Sequence, residues 1–352
     1  MGILRAVPYF ADAPGELPRL HLRNRPLIRD RLALGRRSQM PIPFVDQPRL
    51  QSLLTPSQVI ECLEAMFRNK DGSSHPSRTR MPLANGELLI MPGSRHDFFG
   101  VKLVTVQKSP AQGTALIHGI YALFSASTLE PVLLMDAPAL TSMRTGAVSA
   151  IATKYLAASN AHRLVIFGAG VQAHAHLKYV MAVRKIQWLR VISRREEPAL
   201  ALVRVARQHG IDAELGDIPD VAGADLICTC TTSNVPLFAC SLLKPNTHIN
   251  AVGTHHPEHR ELDSDTMRRA TVFVETRDAA LKEAGELAIP IAQGVFDPSH
   301  IVADLSEVVR ENTRRTYTNI TVFKSVGVAD EDLAVATEAY RSLVSGCDRS
   351  RG

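Results

Sequence analysis

The sequence predicts an α/β chain of 352 residues, with a doubly wound parallel sheet joined to a mostly antiparallel α+β unit. Three observations predict it. The run RLVIF at 163–167 is followed by glycines at 168 and 170, a helical segment over 171–183 and a second apolar run at 189–192. Apolar runs near 213, at 224–232, 247–254 and 270–276 then alternate with helical spacing, the order that builds a parallel sheet. Earlier in the chain, residues 75–136 break into short apolar runs separated by Gly, Pro and Asn, with Asn85 and Gly86 as a hairpin signal.

Taken in order, residues 1–48 are rich in Arg, Pro and Leu and read as an N-terminal arm, with a basic docking segment as the other reading. Ser and Thr are scarce there, against a transit peptide, and position 6 is Ala, against myristoylation after Gly2. Thr55 and Pro56 open a helix over 54–67, as a cap followed by proline at the first helical position. The small residues of TSMRTGAVSAIATKYLAA predict a helix over 141–158 that links the antiparallel sheet to the parallel one. The last part, NITVFKSVGVADEDLAVATEAYRSLV, reads as a strand or loop and a long amphipathic helix folding back over the first lobe. The expected division is 1–48, then 49–143 with 320–352, then 144–319.

The bulk composition is that of a globular protein: 45% hydrophobic, 21% charged, net charge +5. The excess of cations suits anionic ligands. They are dispersed and aromatics are only 5%, which argues against nucleic acid. No run approaches a membrane span and no secretory signal is visible, so a cytoplasmic protein is expected. The five cysteines, at 62, 228, 230, 240 and 347, lack zinc spacing and read as free thiols.

The glycine turn carries the first chemistry. Gly168 permits a tight turn, Gly170 lets backbone approach a pyrophosphate and Ala173 lets helix and strand pack closely, so Gly168, Gly170, Val171, Gln172 and Ala173 are expected to bind a dinucleotide in a Rossmann-type sheet. An NAD-specific site would carry a carboxylate after the second strand. Here stand Ser193, Arg194 and Arg195, which can pair with a 2′-phosphate, so NADP(H) is expected, with NAD(H) the alternative. Thr231, Val252 and Gly253 fall at the carboxyl ends of later strands and are further candidate cofactor contacts; a turn role is the other reading of the hydroxyls.

Three cations stand among apolar or small residues: Arg78, Lys102 and Arg144. A charge inside a strand, as at Lys102, is costly to bury unless paired. From spacing alone each could simply point outward. As a group, they could clamp a substrate carboxylate opposite a nicotinamide.

The stretches MPGSRHDFFGVKLVTV, LLMDAPALTSMRTGAVSAIATKYL, LVIFGAGVQAHAH, INAVGTHHPEHRELD and NITVFKSVGVADEDLA resemble the ornithine cyclodeaminase/mu-crystallin family over roughly residues 75–340. The RTGAVSAIA helix followed by GAGVQA is the most distinctive pairing. The resemblance implies an antiparallel α+β domain that binds substrate and forms a homodimer, and a Rossmann domain that binds NAD(P). It assigns the substrate carboxylate to Arg78, Lys102 and Arg144. Lys102 and His255 are the catalytic candidates, a satisfied polar residue at a loop being the other reading of His255. It implies an NAD(P)H-dependent reductase of an imino acid, with amino, imino or keto acids as ligands. Amino acid cyclodeaminase or dehydrogenase activity, or a non-catalytic small-molecule binder, are the alternatives. In cyclodeaminases the segment VGxD supplies an Asp for the substrate's amino groups, and this chain has His255 there. An imidazole supplies no fixed negative charge, which counts against ornithine cyclisation, yet it can relay a proton near neutrality. His118 is expected to be structural. Thr254, His256 and 290–304 are candidates for contact with the substrate side chain.

Overall fold

The computed structural model describes residues 41–69, 76–108, 115–311 and 319–349. The arm expected over 1–48 therefore lies mostly outside the described residues. Its last part is sheet and helix: β1 (Phe44–Val45) pairs with a later strand and α1 (Gln47–Leu53) is capped by Asp46. Helix α2 (Pro56–Arg68) starts as the sequence predicts, with Thr55 and Gln58 forming a reciprocal capping box.

The first sheet adds β2 (Thr79–Leu83), β3 (Gly86–Arg95), β4 (Phe98–Gln107), β5 (Ile117–Ser125) and β6 (Pro131–Asp136), in the order β1-β6-β5-β4-β3-β2. Strands β2 to β6 pair antiparallel, and β1 joins the edge in parallel. The hairpin expected at Asn85 and Gly86 joins β2 to β3. One face of this sheet carries Met91, Lys102 and Tyr121 side by side and is buried. With a period of two, the opposite face carries Phe44, Met81, Leu83 and Ile120, which are exposed.

Helix α3 (Ala137–Leu156) begins four residues before the expected position 141. The Asp136 carboxylate accepts from Ala139 N at 2.8 Å and Pro138 stands in the first turn, so the cap rather than the apolar pattern sets the start. Of its 20 residues, 17 are buried. A helix apolar all round belongs in an interior, and α3 lies where the two sheets meet.

The second sheet is all parallel: β7 (Arg163–Phe167), β8 (Trp188–Ile192), β9 (Asp212–Leu215), β10 (Leu226–Thr229), β11 (His248–Ala251), β12 (Thr271–Val274), β13 (Ile301–Asp304) and β14 (Thr321–Lys324), in the order β13-β12-β14-β11-β10-β7-β8-β9. The chain runs outward from β7 to β9, then crosses to β10 on the other side of β7. That reversal opens a crevice at the carboxyl ends of β7 and β10. Helices α4 (Val171–Val183) and α5 (Glu196–Gln208) cover one face with Leu164, Ile166 and Leu226 beneath them. Helices α6 (Ser264–Arg269), α7 (Arg277–Glu283) and α8 (Gly285–Ala292) belong to the other, over Val165, Ile227 and Ile249. Helices α9 (Leu305–Glu311) and α10 (Ala329–Arg349) join α2 and α3 in the core of the first unit.

Two features differ from the expected division. Strand β14, from the segment assigned to the first lobe, hydrogen-bonds between β11 and β12 in the parallel sheet. The expected boundary at 143/144 falls inside α3. Among the described residues no helix is long and apolar enough to cross a membrane.

Helices α3 and α4 touch at Gly146. A Cβ there would lie 2.9 Å from the Tyr179 ring and 3.0 Å from the Ala175 carbonyl oxygen. Gly146→Val should cost about 1–3 kcal/mol by overpacking, measured by urea unfolding; an unchanged midpoint would show that the helices have room to separate.

Candidate active site

The crevice is built from the glycine turn outward. Gly168 closes β7 with φ +95°, and a Cβ there would lie 2.6 Å from the Cys230 carbonyl oxygen. Only glycine meets both demands. Gly170 stands at the N-cap of α4, which has no side-chain cap, and nothing lies within 4 Å of the place its Cβ would take. The first N–H groups of α4 thus face open space beside exposed Val171, as an anionic phosphate needs. The Gln172 carbonyl accepts from His176 Nδ1 at 2.7 Å in the first turn, and Ala173 is fully buried against the sheet. After β8, Ser193 Oγ accepts from Arg195 N at 3.2 Å, and the side chains of Arg194 and Arg195 are exposed. These residues fit a dinucleotide: an uncapped helix end lies over the glycine turn, and two exposed cations follow β8.

At the next strand ends, Thr231 follows β10, and Val252 and Gly253 follow β11. One buried carboxylate, Glu261, bridges the two turns. It accepts from Thr231 N at 2.8 Å, Thr231 Oγ1 at 2.6 Å and Gly253 N at 2.8 Å.

The three cations come from a loop, a strand and a helix and are tied together. Lys102, on the buried face of β4, donates to Asp332 Oδ2 at 2.7 Å and Thr141 Oγ1 at 3.3 Å. Arg144, in the middle of α3, donates to Glu331 Oε2 at 2.8 Å and lies 3.4 Å from Asp332 Oδ1. Arg78, just before β2, donates to the carbonyls of Val326 (2.6 Å) and Gly327 (2.7 Å), with its Nε 2.9 Å from Glu283. Gly327, at φ +79°, separates the two guanidiniums: a Cβ there would sit 2.9 Å from Arg144 Cζ. Glu275 holds the same loop, accepting from Ser325 Oγ at 2.5 Å, Val326 N at 3.0 Å and Gly327 N at 2.6 Å.

Burial dominates the electrostatics. It pushes the Lys102 ammonium down to about 8, with Asp332 opposing and Arg144 adding to the push. Burial also works against the charge of Arg144, but Asp332, Glu331 and Glu275 outweigh it and hold the guanidinium firmly protonated. Arg78 is lowered by burial, with Glu283 opposing. Beside Arg78 opens a cavity of about 350 Å³, bounded by Met91, Thr276, Glu283, Val328 and Ala329.

The sequence reading missed Glu275, Glu283, Glu331, Asp332 and Glu261. The available signal was the ADED run at the start of α10, but acids in a first turn are ordinary partners of the helix dipole and do not announce a second task. The remaining candidates scatter. His118 is exposed on β5, Thr254 is buried with its carbonyl bonded to Lys324 Nζ at 2.7 Å, and exposed His256 stacks on His259. Cys228 is fully buried, its thiol pushed up to about 12 by burial, with the Asn250 amide 3.8 Å from its sulfur. Cys347 lies outside the residues whose side chains are described.

The family model described as "Ornithine cyclodeaminase/mu-crystallin family" matches residues 45–346. The chain belongs to this family. Among its relatives, a Delta(1)-pyrroline-2-carboxylate reductase of Bacillus cereus is 38% identical over 280 residues, covering 76% of this chain and 86% of that one. The ketimine reductase mu-crystallin of Rattus norvegicus is 36% identical over 309 residues, covering 86% and 95%. The structure of Thermococcus litoralis Delta(1)-pyrroline-2-carboxylate reductase in complex with NADH and L-proline superposes with a TM-score of 0.82 at 32% identity, covering 86% of this chain and 98% of that one. The family and the fold expected from the motifs are both found.

His255 needs a correction within this family frame. Its backbone carbonyl accepts from Arg80 Nη2 at 3.0 Å, and its imidazole is half-buried. Burial, then Arg78, Arg80, Lys324 and His256, push the imidazole down to about 3. This differs from the expectation of an imidazole titrating near neutrality: burial first, and the surrounding cations second, favour the neutral ring. Followed by NMR, the His255 ring should stay neutral from pH 8 down to pH 5. A midpoint between 6 and 7 would remove this account.

Proposed function

We propose that this chain is a nicotinamide-dependent reductase of cyclic or open imino acids, a ketimine or Δ1-pyrroline-2-carboxylate type of substrate, using NADP(H) in preference to NAD(H). The observation that carries the reading is the linked set of Arg78, Lys102 and Arg144 in the same fold as a glycine turn with an open helix end. Two relatives named as reductases of C=N bonds support the reaction class. The exposed Arg194 and Arg195, with no carboxylate at the end of β8, support the cofactor preference.

A bound reduced nicotinamide supplies the hydride that adds to the carbon of the C=N bond. The chain's own residues do the rest. Arg78 and Arg144 hold the substrate carboxylate, and Gly327 between them leaves no side chain in the way. The Lys102 ammonium, paired with Asp332, adds positive charge beside the imine and supplies the proton that the nitrogen needs to become an amine. Neutral His255 contributes shape and an N–H, not a charge. Its place in the segment where cyclodeaminases keep an Asp argues against ornithine cyclisation.

The assembly and division of labour are part of the same proposal. The first sheet and α10 form a substrate and dimerisation unit and the parallel sheet a cofactor unit, in a cytoplasmic homodimer. The apolar outer face of the first sheet, with Phe44, Met81, Leu83 and Ile120 exposed, is the surface a second copy would cover.

Incubated with NADPH and Δ1-pyrroline-2-carboxylate, its six-membered homologue, or α-keto acids with amines, the protein should oxidise NADPH. Ammonia release from ornithine or lysine, without such oxidation, would instead establish the cyclodeaminase alternative. Lys102→Met should lower kcat/KM by about 10³ and leave NADPH binding nearly intact. Because the active form of Lys102 is protonated and its pKa is lowered to about 8, kcat/KM should fall as pH rises through 8, and Lys102→Arg should move that limb upward. Replacing Arg194 and Arg195 together by Ala should weaken NADPH by roughly 10- to 100-fold with little change for NADH; equal losses would refute the 2′-phosphate assignment.

A further inference from the structure

Glu261 is fully buried in the segment between β11 and α6, and the mechanism above gives it no task. Its two oxygens collect four donors from the ends of two neighbouring strands. Oε2 accepts from Thr229 Oγ1 at 2.7 Å and from Gly253 N at 2.8 Å. Oε1 accepts from Thr231 N at 2.8 Å and from Thr231 Oγ1 at 2.6 Å. Burial, with Glu286 adding to it, raises the Glu261 carboxyl, and Lys324 and the Thr231 and Thr229 donors offset part of that rise. Two of the four donors are backbone N–H groups, one on each oxygen, and these can only donate.

The bridge is anchored in turn. Glu261 N donates to Glu286 Oε1 at 2.9 Å, Glu286 lies 3.1 Å from fully buried Lys324, and Lys324 Nζ donates to the Thr254 carbonyl at 2.7 Å. Gly253 packs so closely that a Cβ would come to 2.6 Å from Glu261 Cδ. Burying a carboxylate is expensive, and its position here fixes two turns rather than one. Those turns flank the gap between β10 and β11, next to the crevice at β7.

We infer that Glu261 is a positioning residue for the reduced nicotinamide: by locking the Thr231 and Gly253 turns at a set separation, it fixes where the ring lies against the substrate cations. Its hydrogen bonds go to Thr229, Thr231, Gly253 and Glu286 and none to the phosphate turn at Gly168–Ala173 or to Ser193–Arg195, although Thr231 Cγ2 lies 3.5 Å from where a Gly168 Cβ would be. This inference rests on the nicotinamide reading above. A purely structural glutamate would, on replacement, weaken every ligand together. A positioning one separates the two halves of the cofactor.

Glu261→Gln provides the separation. Whichever way the amide turns, its NH₂ faces a backbone N–H, of Thr231 or of Gly253, and neither can reverse. In the full-length protein, kcat for imine reduction should fall about 10- to 100-fold and NADPH binding, read by cofactor fluorescence, should weaken. Affinity for 2′-phospho-ADP-ribose, read by calorimetry, should stay within about twofold. Parallel losses of NADPH and 2′-phospho-ADP-ribose, or an unchanged kcat, overturn the inference. If the Gln variant does not fold, Thr231→Val and Thr229→Val, each removing one hydroxyl donor, should show the same split at smaller size, and wild-type kcat in both overturns it. Wild-type protein that binds neither NADPH nor NADH sinks the cofactor reading itself, a result visible before any variant is made.

Discussion

The structure depends on placing charged groups where water does not reach. Lys102, Arg144 and Lys324 are buried, and a lone ammonium or guanidinium there would cost several kcal/mol. Each is met by a carboxylate that is itself buried: Asp332 for Lys102, Glu331 for Arg144, Glu286 for Lys324. Two of these acids sit in the first turn of α10, so the helix dipole stabilises them as well. The docking of α10 onto β4 and α3 is therefore an electrostatic requirement as much as an apolar contact. Remove the helix and two cations are left unpaired in the interior.

That requirement explains why α3 is so central. It carries Arg144 on a helix with almost no exposed surface, in contact with the antiparallel sheet through its start and with the parallel sheet through Thr153. The Thr153 hydroxyl accepts from Asn250 Nδ2 at 2.9 Å, and Asn250 contacts His248, which reaches Thr321 on β14. A satisfied buried polar network fixes register more sharply than apolar contact does. The cations of one unit are thereby held at a defined place relative to the strand ends of the other.

The legible parts of the sequence were those whose physics is local. RLVIF, the glycine pair and the helix after them occupy adjacent positions, and β7 and α4 span the expected residues. Thr55 with Pro56 announced its helix for the same reason. Strand order is not local: nothing in NITVFKS says that β14 slots between β11 and β12 rather than joining the first lobe, because its four residues are buried on both faces in either place. The site divided along the same line. Lys102 was conspicuous as a charge in a strand, but its partner Asp332 lies 230 residues away, in a run of acids that already has a sufficient local explanation. His255 was visible as a residue type, while the lowering of its pKa comes from burial and then from Arg78, Arg80 and Lys324, which only folding brings about.

The carboxylates that make these buried cations tolerable also shape what binding can do. In the structure Lys102 and Arg144 already face Asp332, and Arg144 also donates to Glu331, whose carboxyl burial and Glu275 hold well up, so an incoming carboxylate does not meet bare cations. It must add to an existing cluster, using the guanidinium and ammonium hydrogens the acids leave free. On the proposed reading this has a consequence for Lys102. Burial, aided by Arg144, holds its ammonium low, and a further negative charge close by acts in the opposite sense. Substrate binding would then favour the protonated lysine that the reaction needs, and departure of the product would release that bias. Proton supply and carboxylate recognition become one electrostatic event, with Asp332 setting the starting point from which the ligand shifts it.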